Sequence, residues 1–183
     1  MRLPWQKRDA PRRSGQPRLL VPFSEGSLDP SVLDAALRIA RAQDAVLVPA
    51  YLLVVPLEFG LDAPVRHEEL SCALPILEAV ELAARRAGVP ADARIERGRS
   101  PVDALQRLWE VEAFDRVVVP APVPGRTGFS GKDISWMLAH GPGEILVLRP
   151  APEEDEPTAA TPTRSRATAR AGTASPSGSA ERG

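Results

Sequence analysis

The residues most able to do chemistry cluster late in the chain. Gly125, Gly128 and Gly131 recur at intervals of three, interleaved with Arg126, Ser130 and Lys132. Glycines let backbone amides converge, and a basic loop that opens a helix offers those amides and the helix N-terminus to an anion. A plain connecting loop remains the alternative. The segment is not a Walker loop, because Gly131-Lys132 is followed by Asp133 and Arg126 stands where the earlier glycine belongs. Cys72 falls in a helical segment near its apolar face, where a structural thiol is expected. His67 and His140 fall near helix ends, as capping or solvent-facing residues do. Two histidines without an acidic cluster make no metal site, and no Gly-x-Ser-x-Gly elbow or other nucleophile signature occurs. No catalytic residue and no metal ligand is therefore assigned.

Composition narrows the classes further. The chain has 183 residues, 43% apolar and 26% charged, which is room for one domain with a sizeable core. A net charge of −1 gives no global field for nucleic acid or anionic membrane, and 4% aromatic residues argue against a base-stacking platform. A single cysteine excludes an internal disulfide and fits a reducing compartment, so a cytoplasmic protein is expected. No apolar run of about 18 residues predicts a membrane span, and no secretory signal is readable after Met1.

Three segments follow from the pattern. Residues 1–16 form a basic arm; with Pro17 and Arg18 the stretch carries six basic residues against Asp9, broken by Pro4, Pro11 and Gly15. A solvated arm is expected, with an anionic docking arm anchored by Trp5 as the sharper alternative. Residues 17–150 form one α/β domain. Residues 151–183 contain no Leu, Ile, Val or aromatic residue, cannot offset chain entropy by burial, and read as a disordered tail.

Within the domain, apolar runs alternate with helical spacing. Leu19 to Val21 reads as a strand buried on both faces. Asp29-Pro30 reads as N-cap and first position of a helix to about Gln43. Ala45 to Val54 reads as a second strand with an irregularity near Pro49. His67 to Ala87 reads as a helix that Pro75 should kink or split. Ala91 to Glu96 alternates like a half-exposed strand, and Ser100-Pro101 opens a third helix. Arg116 to Val119 and Ile145 to Leu148 are the last strands. Between them lies a helix from Lys132 to His140, capped by Gly141. Right-handed crossovers then give a five-stranded parallel sheet with helices on both faces, Rossmann-like, with ligands expected at the strands' carboxyl ends.

Three places in this order resemble the universal stress protein family. Val21-Pro22-Phe23-Ser24-Glu25-Gly26-Ser27 is similar to the family's first strand and turn, Val-Pro-x-Asp-Gly-Ser. Gly98-Arg99-Ser100-Pro101 is similar to its Gly-x-Pro helix entry. Gly131, a short helix, Gly141-Pro142-Gly143 and Ile145 to Arg149 resemble its closing segment. The resemblance spans roughly Arg18 to Arg149. It implies the family's five-stranded fold, a homodimer paired through the last strand, and a non-enzymatic role in stress response or signalling through protein partners. It also implies a nucleotide site at Pro22, Ser24, Gly98, Gly125, Gly128, Ser130, Gly131 and Lys132, with ATP or another adenine nucleotide as the possible cofactor.

ATP-binding members carry Asp after the first-strand proline, then Gly-x-x-Gly, nine further residues and Gly-Ser or Gly-Thr. Here Ser24 replaces the Asp. Counting from Gly125-x-x-Gly128 lands on Leu138-Ala139. Taking Gly131 as the late glycine puts Lys132 at the hydroxyl position. The two registers exclude each other and neither completes the motif, so a degenerate site is expected, with retained nucleotide binding as the alternative.

Overall fold

A computed structural model describes residues 15–24, 28–62, 64, 67–122 and 129–149. Most of the basic arm, the tail 151–183, the turn residues Glu25, Gly26 and Ser27, and the loop residues Gly125, Arg126 and Gly128 lie outside them. Nine elements follow in order: β1 (Arg18–Phe23), α1 (Pro30–Ala42), β2 (Val46–Val54), α2 (His67–Arg86), β3 (Arg94–Gly98), α3 (Pro101–Val111), β4 (Arg116–Pro120), α4 (Gly131–His140) and β5 (Glu144–Leu148). The five strands form one parallel sheet in the order β3-β2-β1-β4-β5.

Strand periodicity divides the core into two layers. On one face Leu19, Val21 and Phe23 of β1 pack with Val32, Ala36 and Ala40 of α1 and Leu77, Val80 and Ala84 of α2. On the other, Leu20, Val48 and Leu52 pack with Leu105 and Leu108 of α3 and Ile134 and Met137 of α4. This is why β1 and β2 read as continuous apolar runs: helices cover both faces. The caps expected from sequence also form. The Asp29 carboxylate accepts from the Ser31 amide at 2.9 Å, with Pro30 opening α1.

Four local expectations need correction. The second strand has no irregularity at Pro49, since β1 and β2 pair in unbroken register from Arg18↔Val46 to Phe23↔Tyr51. The Leu47 amide donates to the Pro90 carbonyl, so odd-numbered residues of β2 face β3. The missing N–H of Pro49 therefore falls between the isolated Leu47↔Ala91 bridge and the start of the β3 ladder at Ala50↔Arg94. For the same reason the third strand begins at Arg94 rather than Ala91. Pro75 does not divide α2, which runs unbroken through it. Pro75, which has no amide to donate, and Ser71, one turn before it, both lie on the exposed side. Cys72 is on that exposed side too, not on the apolar face.

Among the described residues, no helix is long and apolar enough to cross a membrane, and no group of three His, Cys, Asp or Glu side chains could hold a metal.

Candidate functional site

The winding direction reverses at β1. The chain leaves β1 for β2 and β3 on one side and returns to β4 and β5 on the other. In such sheets the crevice opens between the carboxyl ends of the two strands at the reversal, here β1 and β4. Sequence helps part them. The Arg18 carbonyl accepts from the Asp115 amide, so even-numbered residues of β1 face β4. The β1–β4 ladder pairs Leu19↔Arg116 and Leu20↔Val117, and the next residue on that side is Pro22, which has no amide to donate. Ser24, buried, follows directly at the mouth.

The opposite wall is the end of β4, the buried Phe129 and the start of α4. Ser130 caps that helix. Its hydroxyl accepts from the Asp133 amide at 3.2 Å and donates to the Asp133 carboxylate at 2.7 Å, and its amide donates to the same carboxylate at 2.8 Å. This reciprocal capping box puts a carboxylate on the helix end that would otherwise attract an anion. Gly131 is the first helical residue, and both it and Lys132 are exposed. The fold thus places Pro22, Ser24, Ser130, Gly131 and Lys132 at the same end of the sheet. Gly125 and Gly128 fall outside the described residues.

Gly98 ends β3, two strands away from the crevice. A Cβ there would overlap the backbone N of Ala104 and lie 2.7 Å from its Cα. Its glycine lets the first turn of α3 press onto the sheet. Around it, Ser100 accepts from the Asp103 amide at 3.1 Å, and the Arg99 amide donates to the Asp103 carboxylate at 2.7 Å.

Sequence reading missed a charged ring at the amino end of the sheet. The Asp92 carboxylate, its side chain 2% exposed, is held by Arg94, including Nη2 at 2.7 Å, and by Arg18 Nη2 at 3.4 Å. Glu112 accepts from Arg18 Nη2 at 2.6 Å and Arg94 Nε at 3.0 Å. The Arg18 guanidinium also lies 5.4 Å from the Phe114 ring centroid. Burial acts to lower the Arg94 pKa, but the two carboxylates outweigh it and hold the guanidinium above its usual value. The four residues come from three separated stretches of chain, so only the fold reveals them.

One carboxylate works against the fold. Burial pushes the Glu96 pKa up, opposed by a backbone hydrogen bond at Arg97 and the charge of Arg107. Its stabilising contribution is full below the unfolded pKa and is lost as pH rises through the raised folded value. Glu96→Gln is expected to raise the melting temperature at pH 7 and to give no gain below about pH 4, where glutamate is protonated in either state. Thermal melts at the two pH values check this, and a lower melting temperature at pH 7 contradicts it.

No protein-family model matches the chain, and no curated protein matches it. Solved structures do. A universal stress protein from Archaeoglobus fulgidus superposes with a TM-score of 0.53 at 16% identity, over 72% of this chain and 92% of that one. A universal stress protein in complex with cAMP gives 0.52 at 22% identity, over 74% and 98%. A universal stress protein family protein from Arabidopsis thaliana with AMP bound gives 0.52 at 16%, over 75% and 97%. At these identities the likeness is one of fold, and by that fold the chain is universal-stress-protein-like.

Proposed function

We propose that this chain is a non-enzymatic, universal-stress-like regulatory module whose nucleotide site is degenerate. The observation that supports this most directly is the Asp133 carboxylate seated on the amino end of α4. A phosphate approaching that helix meets a negative charge and a serine hydroxyl already engaged. Ser24 adds no charge at the facing mouth. The module acts through protein partners, with segments 1–16 and 151–183 as its appendages. It pairs with a second copy through β5, an edge strand whose Ile145 to Leu148 run has neither Lys nor Pro and whose Val147 is exposed. Light scattering that finds only monomer at high concentration contradicts the pairing.

Calorimetric titration with ATP and Mg²⁺, and separately with AMP, tests the site. No binding tighter than about 100 μM, roughly 5.5 kcal/mol, is expected. Saturable heat at tighter affinity favours the second reading, retained adenine-nucleotide binding, which draws support from the AMP and cAMP held by fold neighbours.

A further inference from the structure

The connection leaving β2 is fastened in an unusual way. Val55 is buried, but Pro56, Leu57, Glu58, Phe59 and Gly60 are all exposed, Leu57 by 88%. A segment with so little apolar burial belongs to the least stable part of a fold unless polar contacts fix it. Here they converge from one side chain. Arg99 Nη1 donates toward three carbonyls, those of Pro56 at 2.6 Å, Phe59 at 2.9 Å and Val55 at 3.1 Å. Its two hydrogens are shared among three acceptors, so the nitrogen sits in a cage of backbone oxygens. Arg97 Nη1 donates to the Leu61 carbonyl at 2.8 Å, and the Phe59 amide closes a turn onto the Pro56 carbonyl at 3.1 Å.

Arg99 is itself tied to the next helix. Its amide donates to the Asp103 carboxylate in the first turn of α3, and the Gly98 carbonyl before it accepts from the Val55 amide at 2.8 Å. All three carbonyls are held by one nitrogen, so the contact forms or breaks as a unit when that guanidinium arrives or leaves.

We propose that Arg99 is a latch that holds the strap Val55–Leu61 in one position at the carboxyl end of the sheet and couples it to the amino end of α3. In the latched state Leu57 and Phe59 are presented at a fixed place. Released, the strap moves while the sheet stays folded. The inference is independent of whether a nucleotide binds.

Amide hydrogen exchange on the full chain, read by mass spectrometry, tests it. In Arg99→Gln, the hydrogen-bonded amides of the strap, Val55 and Phe59, are expected to exchange at least about tenfold faster, as local opening requires, with β1 and β4 amides unchanged. Arg38→Gln, an exposed arginine on α1, is expected to change neither. Chymotrypsin should then cut Arg99→Gln first after Leu57 or Phe59. Unchanged strap exchange overturns the latch, and so does an equal rise across all strands, which marks Arg99 as general support. If Arg99→Gln does not fold, Arg99→Met, which keeps an unbranched apolar stem but has no donor for the three carbonyls, is read by the same two criteria.

Discussion

Asp92→Ala is expected to destabilise the domain by about 3 kcal/mol, the lower end of the cost of breaking a buried ion pair from one side. The carboxylate is nearly inaccessible and receives both Arg18 and Arg94. Removing it leaves two guanidiniums facing each other with only Glu112 between them. The value falls at the low end because the Arg94 side chain is 23% exposed and has a route to water. Replacing partners together should cost less than their sum, since a removed pair leaves no orphaned charge. Asp92→Ala with Arg94→Ala is therefore expected to show clear positive coupling in urea denaturation. Strict additivity would mean that the ring does not act as a unit.

Gly98→Val is the second large effect, expected at about 3 kcal/mol or outright failure to fold, the range of severe overpacking. The atom in the way is backbone, not the end of a movable side chain. A Cβ at this position meets the amide nitrogen and Cα of Ala104. Relief requires lifting the first turn of α3 from β3. That would strain the Ser100 and Asp103 cap and drag Arg99, so the strap should loosen together with the loss of stability. Chemical denaturation gives the first quantity. A variant as stable as the parent contradicts the close helix–strand approach.

Much of this architecture was legible in the chain. Asp29-Pro30 and Ser100-Pro101 announced helix starts because capping is local chemistry, and both form as expected. The apolar runs of β1 and β2 announced a sheet covered on both faces. What escaped the sequence was long-range. Pro49 suggested an irregularity because a proline usually breaks a ladder, but which side its nitrogen faces depends on where β3 begins. Pro75 suggested a kinked or split helix; the helix is not split, and exposure of that side is set by how α2 packs. At the candidate site, Pro22 and Ser24 were proposed by position in a motif. Gly131-Lys132 was read as part of an anion-binding loop. The capping box that fills the helix end was visible only as Ser130 and Asp133 three apart, a spacing that also fits other uses. Arg99 and the Asp92 ring gave no sequence signal, since, Asp92 and Arg94 apart, the side-chain partners that define them lie 18 to 94 residues away along the chain.

The account turns on the crevice between β1 and β4 and on whether it grips phosphate. The most direct measurement is a two-dimensional amide NMR titration of the whole chain with AMP and with ATP and Mg²⁺. The degenerate-site account predicts no saturable shifts at Phe23, Ser24, Ala121 or Ser130 to Asp133 up to millimolar ligand. Saturable shifts concentrated at those residues would contradict it and assign the crevice to an adenine nucleotide.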